Sequence, residues 1–147
     1  MADHIEIAVV ENLADDDLHQ VEMLLSQLST SATFDPGRVQ SMLDASGVDL
    51  FVARDGGRIV GMATLVTFPL VTGWRGIVED VVVSHQARGR GIARLLLSEI
   101  TAESSRRRLR TLDLTSRPTR ESALKLYASV GFERRETNVL RYSPPLN

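Results

Sequence analysis

The sequence contains no cysteine, and this absence removes several classes of chemistry at once. Disulfide bonds, zinc sites built on thiolates and a cysteine nucleophile are all excluded. The histidines, His4, His19 and His85, are scattered along the chain without the spacing that metal ligands require. We therefore expect no metal site.

Long apolar runs are also missing. No stretch approaches the roughly 20 residues that a membrane span needs, and the N-terminus lacks a signal-peptide pattern. The net charge of −2 gives no electrostatic case for nucleic acid or an anionic membrane as a partner. We therefore expect a cytoplasmic protein that binds neither nucleic acid nor membrane.

Length and composition are those of an ordinary globular protein, with 147 residues of which 43% are hydrophobic and 24% charged. One domain spanning residues 1–147 is expected. Alternating or continuous apolar runs predict strands at Ile5–Val10, Asp49–Arg54, Ile59–Phe68, Arg75–Val83, Leu109–Thr115, Phe132–Glu136 and Val139–Tyr142. Helical spacing predicts helices at Leu13–Leu28, Pro36–Leu43, Gly91–Arg107 and Thr119–Val130, the last of them stopping at Gly131. A mixed α/β domain with one sheet flanked by helices follows.

The segment from Glu79 to Leu97 is the most informative part of the chain. A β-branched strand leads into a polar loop that contains Gly89 and Gly91, and an apolar-periodic helix follows at once. Glycines let the backbone approach an anion closely, and the first amides of a helix have no partners inside it. Arginines at positions 88, 90 and 94 add positive charge. This combination predicts a phosphate-binding loop.

Two better-known phosphate loops do not fit this segment. No Gly-Lys-Ser/Thr follows Gly91, so it is not a Walker A motif. Arg94 stands where the dinucleotide fingerprint has its third glycine. Gln86–Gly91 instead fits Gln/Arg-x-x-Gly-x-Gly/Ala and resembles the pyrophosphate loop of the GNAT superfamily, the acetyl-coenzyme A-dependent N-acetyltransferases. A second segment, Ala123–Phe132, resembles the Ala-x-x-Leu/Phe-Tyr-x-x-x-Gly-Phe pattern of the same family.

The resemblance implies the GNAT fold, with a central mixed, mostly antiparallel sheet flanked by helices, and acetyl-CoA as cosubstrate. Backbone groups of the strand at Val81 and Val83 would hold the pantetheine arm, and the amides from Arg88 to Arg94 the pyrophosphate. Arg120 replaces an asparagine that meets the cofactor in many members, and it either contacts a coenzyme phosphate or is a surface charge. The residues expected at the cofactor are Val81, Val82, Val83, Gln86, Arg88, Gly89, Arg90, Gly91, Ile92, Ala93, Arg94, Arg120 and Ala123.

Catalysis of acetyl transfer to an amine needs a base and an acid. A primary amine is mostly protonated at neutral pH, so a carboxylate assists its deprotonation. Glu79 and Asp80 point to opposite faces of a strand unless a bulge intervenes. We favour Glu79 as the base, although it could instead pair with an arginine, and Asp80 would fix a loop by hydrogen bonds or contact substrate. Tyr127, at the family position, would protonate the leaving thiolate, or else it only packs.

The acceptor expected from the resemblance is a primary amine of a small molecule. The Glu79–Val83 strand is closest to glucosamine-phosphate N-acetyltransferases. Phe68 and Trp74 would wall the acceptor site, with core packing or a dimer contact as the alternative. Two other functions stay open, namely acetylation of protein N-termini or lysines, and a non-catalytic coenzyme A-binding module. A homodimer, common in this family, is expected through the C-terminal strands.

Overall fold

The structure, a computed structural model, describes residues 4–146. Five strands lie in this range: β1 (Ile5–Val10), β2 (Val48–Asp55), β3 (Arg58–Leu70), β4 (Gly73–Val83) and β5 (Thr111–Asp113). Four α-helices accompany them: α1 (Asp15–Leu28), α2 (Pro36–Asp44), α3 (Ile92–Arg106) and α4 (Glu121–Ser129). A single 3₁₀ turn at His85–Ala87 joins β4 to α3.

The strands form one sheet in the order β1-β2-β3-β4-β5. The first four are antiparallel neighbours, and β4 pairs with β5 in parallel. The tight connection between β2 and β3 is the predicted hairpin, since Asp55 pairs with Arg58 and both intervening glycines have positive φ, 58° at Gly56 and 88° at Gly57. The expected mixed, mostly antiparallel sheet is confirmed.

Helices cover both faces of the sheet. Along β2, Phe51 and Ala53 belong to a core cluster with residues of α3 and α4, whereas Leu50 and Val52 belong to a second cluster with α1. This alternation places α3 and α4 on one face and α1 on the other. We call these the α3 face and the α1 face. None of the helices within residues 4–146 combines the length and apolarity needed to cross a bilayer.

The C-terminal segment departs from the sequence prediction. Strands were expected at Phe132–Glu136 and Val139–Tyr142, but residues 132–146 contain no strand. Val139, Leu140 and Tyr142 are exposed by 72%, 90% and 81%. The apolar pattern is real, but a strand exists only where a neighbouring strand satisfies its backbone. The prediction of two closing strands is wrong for the isolated chain.

Strand β5 is also shorter than the predicted Leu109–Thr115. The Arg110 amide donates to the Trp74 carbonyl oxygen at 2.7 Å, just before β5 begins. Parallel pairing with β4 then lasts only from Thr111 to Asp113. The early end of this pairing creates the site described next.

Candidate active site

Strands β4 and β5 pair briefly and then separate. Arg75–Ile77 lie opposite Thr111–Asp113. Past this point β4 continues to Val83, and within residues 4–146 only β3 pairs with it. The edge of β4 from Val78 to Val83 is therefore open on the β5 side, and we call the space beside it the gap.

The backbone of Val83 faces the gap. The Ser84 amide donates to the carbonyl oxygen of Val60 in β3 at 2.8 Å, so the polar backbone groups of Ser84 point toward β3. Successive residues of a strand point these groups to opposite sides. The backbone N–H and C=O groups of Val83 therefore point away from β3, and they are available to a ligand in the gap.

Strand β4 contains a bulge at the predicted acidic pair. After Glu79 the register with β3 shifts, since Asp80 and Val81 together oppose one residue of β3. The φ of Asp80 is 54°, in the left-handed region. The extra residue reverses the alternation of side chains along β4. Val78 packs in the α3-face cluster, whereas Val82, four residues later, packs in the α1-face cluster.

This bulge is the exception that the alternation argument allowed. Glu79 and Asp80 are both exposed, and neither carboxylate has a hydrogen bond or ion pair with a residue in the range 4–146. Glu79 lies opposite Thr64, which in turn pairs with Leu50 of the α1-face cluster, so Glu79 is on the α1 face. The loop-fixing hydrogen bond predicted for Asp80 is not formed with any described residue.

The turn after β4 carries a row of open amides. Gly89 and Gly91 have φ values of 81° and 74°, and Gly91 is the residue that precedes α3. The first amide of this turn to donate within the helix is that of Leu95, to the Gly91 carbonyl oxygen at 3.1 Å. Within residues 4–146 no acceptor is found for the amides of Gly89, Gly91, Ile92, Ala93 and Arg94.

The space around these amides suits an anion. A Cβ atom built on Gly89 or Gly91 would meet nothing within 4 Å, so the glycine side of the turn is open. The unpartnered amides lie at the positive end of α3. The turn therefore offers unpartnered amide donors to an anion, and a pyrophosphate as that anion stays a prediction.

The arginines of the turn have different roles. Arg90 donates to Asp55 of β2 at 2.7 Å, and Arg94 donates to Ser129 Oγ at the end of α4 at 2.7 Å. The Arg90 hydrogen bond holds the pKa of the Asp55 carboxyl below its ordinary value, so this carboxylate stays charged at neutral pH. The Arg88 guanidinium is exposed and has no partner among the described residues.

Tyr127 combines a buried ring with an accessible hydroxyl. Its ring packs in the α3-face cluster, against which the partly buried Val81 and Val83 also pack, and meets Phe132 edge-on at 6.3 Å between centroids. The hydroxyl has no hydrogen-bond partner within residues 4–146, and no buried side-chain oxygen in that range lacks one. The hydroxyl therefore reaches the surface.

Two further predicted cofactor residues lie on α4. Ala123 is buried in the same cluster as Tyr127. Arg120 is the exposed residue that precedes α4, and its side chain makes no hydrogen bond with the described residues. Its guanidinium is thus available to a ligand, and both alternatives for Arg120 remain.

Phe68 and Trp74, which were predicted to line the acceptor site, do not lie next to Glu79. Phe68 pairs with Arg75, and Trp74 pairs with Pro69 at the far end of the β3–β4 hairpin. Trp74 lies about 17 Å from Glu79 along the strand, at ~3.3 Å per residue. Trp74 is 52% exposed, so core packing does not account for it. Contact of Phe68 or Trp74 with a substrate remains a prediction.

Sequence analysis missed three residues that position the turn. Gly61 of β3 allows α3 to sit close, since a Cβ there would lie 3.1 Å from Ile92 Cγ2 and 3.4 Å from Leu96 Cδ1. Gln27 of α1 accepts a hydrogen bond from the His85 amide at 3.0 Å. Asp55 holds Arg90. Each acts across the fold, so no local pattern signals it.

No group of three or more acidic, histidine or cysteine side chains within residues 4–146 is arranged to hold a metal ion. The turn before α3 instead presents backbone amides and guanidinium groups, which are hydrogen-bond donors to anions.

Comparison with known proteins identifies the family. The model of the acetyltransferase (GNAT) family matches residues 16–132. Among solved structures, the ribosomal-protein-alanine N-acetyltransferase of Brucella melitensis biovar Abortus 2308 is 25% identical, with a TM-score of 0.73 and coverage of 95% of this chain and 99% of that one.

Two more distant structures share the fold. Glucosamine-6-phosphate N-acetyltransferase of Arabidopsis thaliana is 15% identical, with a TM-score of 0.76 and coverage of 94% of this chain and 97% of that one. AAC(6')-Iy, solved with the bisubstrate analogue CoA-S-monomethyl-acetylneamine, is 19% identical, with a TM-score of 0.79 and coverage of 97% and 99%.

Proposed function

The chain belongs to the GNAT acetyltransferase family and is an acetyl-CoA-dependent N-acetyltransferase; on that premise, we propose that its acceptor is the primary amine of a small molecule. The observation that carries this proposal is the pair of exposed, unpartnered carboxylates of Glu79 and Asp80 at the bulge. Two uncompensated negative charges attract a cationic amine. The solved relatives named for glucosamine-6-phosphate and bound to a CoA–neamine analogue support a small acceptor.

The cofactor is proposed to lie along the open half of β4 and across the turn. The backbone around Val81, Val82 and Val83 offers hydrogen bonds to the pantetheine arm. Arg90 and Arg94 contribute through their amides, because their side chains already bind Asp55 and Ser129. The pyrophosphate contacts are assigned to Gln86, Arg88, Gly89, Arg90, Gly91, Ile92, Ala93 and Arg94, with Arg120 and Ala123 beside them on α4.

Glu79 is proposed as the base and Tyr127 as the acid in direct attack on the thioester. When bound, acetyl-CoA supplies the thioester carbonyl carbon that the amine attacks. Glu79 accepts a proton from the amine, directly or through water, as the new C–N bond forms. The Tyr127 hydroxyl donates its proton to the leaving sulfur as the C–S bond breaks.

The positions of these two groups are compatible with that division of labour. Glu79 is on the α1 face, and Tyr127 packs in the α3-face cluster. The gap separates β4 from β5 between the two faces. An amine that approaches from the α1 face and a thiol that leaves toward α4 would each meet one of the two groups.

A protein acceptor is the second candidate, favoured by the ribosomal-protein-alanine N-acetyltransferase relative. The deciding experiment measures free thiol release from acetyl-CoA with a panel of amino sugars, aminoglycosides and peptides. Amine-dependent release with small amines supports the proposal. Label transferred only to polypeptide overturns it in favour of a protein acceptor, and tight coenzyme A binding without any release indicates a non-catalytic module.

The role of Glu79 is tested by Glu79→Gln. We expect kcat/KM to fall about 10²-fold, because general-base assistance contributes about that much or more. Glu99→Gln is the matched control, since Glu99 is exposed on α3 and has no partner among the described residues. Equal activity of the two variants would move the base to Asp80 or to water.

Self-association is proposed through the C-terminal segment. Residues 132–146 retain a strand-like apolar pattern without a partner, and β5 is an edge strand of the sheet. A second copy carries the same two features, so two chains can complete each other's sheet. Light scattering should give twice the mass of the chain, and Leu140→Asp should return the protein to a monomer; a wild-type monomer contradicts this. The cytoplasmic location stays a prediction.

A further inference from the structure

Arg90 is the residue between the two left-handed glycines of the phosphate turn, yet its side chain points to a different part of the fold. Its guanidinium donates to Asp55 Oδ2 at 2.7 Å. Asp55 is the last residue of β2, 35 positions earlier in the chain. Both side chains are partly shielded, with 26% of Arg90 and 35% of Asp55 exposed. The ion pair therefore links the turn to the β2–β3 hairpin.

The anchor end of this link is rigid. Arg54, the neighbour of Asp55, makes two bonds to Asp17 of α1, at 2.9 and 3.1 Å. The same guanidinium donates to the Gly57 carbonyl oxygen at 2.9 Å, across the hairpin turn. The hairpin is thus fastened to α1 immediately beside the point from which Asp55 holds Arg90.

The other end of the link is a glycine-rich stretch. Gly89 and Gly91 have no side chains to pack, and glycine loses more conformational freedom on ordering than any other residue. The His85 amide is held by Gln27, but this contact lies before the first glycine. Arg90 is the position from which the glycine stretch itself is held in the shape that exposes its amides.

We propose that Asp55 is a positioning residue for coenzyme A: through its ion pair with Arg90 it holds the Gly89–Gly91 turn in the pyrophosphate-binding conformation before the cofactor arrives. The inference rests on the proposed placement of the cofactor at this turn. If the turn is already ordered, cofactor binding does not include the entropy cost of ordering it. The ion pair therefore raises the affinity for coenzyme A without contacting the ligand.

Electrostatics alone predicts the opposite sign. Asp55 neutralises a cation near the phosphate site, so its removal would leave the positive charge of Arg90 less compensated and raise its attraction for the anionic cofactor. On that account Asp55→Asn binds coenzyme A more tightly. Positioning requires that the same variant bind it more weakly. The direction of the change therefore distinguishes the two effects.

The experiment titrates coenzyme A calorimetrically into the wild type, Asp55→Asn and Asp16→Asn. Asp16 is an exposed carboxylate at the start of α1 without a described partner, so its variant makes the same charge change away from the turn. We expect Asp55→Asn to bind coenzyme A roughly five- to tenfold more weakly, and Asp16→Asn to match the wild type. In turnover, KM for acetyl-CoA should rise by the same factor while kcat stays within about twofold.

A second variant keeps the test informative if Asp55→Asn loosens the hairpin. Arg90→Gln breaks the same ion pair from the other side, and the double variant should bind no more weakly than either single one. Binding by Asp55→Asn equal to or tighter than that of Asp16→Asn overturns the inference. A wild type that does not bind coenzyme A at all overturns the proposed cofactor site itself, which is a separate failure.

Discussion

The two halves of strand β4 belong to one continuous strand but have different neighbours. From Gly73 to Ile77 the strand pairs with β3, and from Arg75 to Ile77 it also pairs with β5, where the Arg75–Asp113 ion pair at 2.7 Å reinforces the contact. From Val78 to Val83 it is paired with β3 alone within the described residues. The first half is structural, and the second leaves backbone donors and acceptors open beside the phosphate turn.

This difference indicates why the open half is the better candidate for binding a ligand. An open strand edge exposes a row of amides and carbonyls that must find partners. The open half is followed, after the 3₁₀ turn, by Gly89 and Gly91, whose amides are also unpartnered among the described residues. A single extended ligand with polar groups along its length satisfies both, and coenzyme A is such a molecule.

The largest expected effect comes from Tyr127, the proposed acid. Tyr127→Phe removes the hydroxyl and keeps the ring packing against Phe132. We expect kcat to fall about 10²-fold, since proton transfer by a positioned side chain contributes 10² or more. Tyr142→Phe, at a residue 81% exposed, is the control. Near-normal turnover of Tyr127→Phe would show that the open half needs no acid from α4.

The next effect compares two glycines of positive φ, Gly91 just before α3 and Gly73 at the start of β4. Gly91→Val and Gly73→Val both place a branched side chain at positive φ, 74° and 134°, and both should destabilise the fold. Only Gly91 borders the open amides, so we expect its variant alone to bind coenzyme A more weakly, by about 30-fold, equivalent to ~2 kcal/mol. Calorimetric titration measures the two affinities for coenzyme A. A similar affinity loss in Gly73→Val would show that the loss in Gly91→Val does not depend on the position of Gly91 beside the open amides.

The smallest effect belongs to the paired half. Asp113→Asn removes the ion pair with Arg75, whose side chains are each about a third exposed. We expect a loss of about 0.5 kcal/mol in the free energy of unfolding, because partly exposed ion pairs contribute little, and no change in coenzyme A affinity. Urea unfolding measures the first quantity. A marked affinity loss would mean that the width of the gap depends on how the paired half is closed.

Much of the fold followed from local spacing. The Asp55-Gly56-Gly57 hairpin, the helices beginning at Pro36 and Ile92, and the stop at Gly131, where φ is 108°, all lie within one residue or so of prediction. Each depends on neighbours a few positions apart, or on the conformational freedom of one glycine. Such constraints are written into short stretches of sequence.

The errors and omissions have a common cause. The strands predicted near Phe132 and Val139 need a neighbouring strand, which these residues do not find in the single chain. The bulge at Asp80 depends on its register with β3, and the Asp55–Arg90 ion pair joins residues 35 positions apart. Strand pairing, strand register and ion pairs between distant residues depend on the whole fold, and local periodicity does not predict them.

The sequence by itself predicted that the turn from Gln86 to Gly91 binds a phosphate group, because glycines let the backbone approach an anion and the first amides of a helix have no partners inside it. Tertiary structure decided that this turn adjoins an open strand edge, that a bulge leaves Glu79 and Asp80 exposed together, and that Asp55 holds Arg90. The first depends on covalent geometry within a few residues. The others exist only once distant segments have packed against one another.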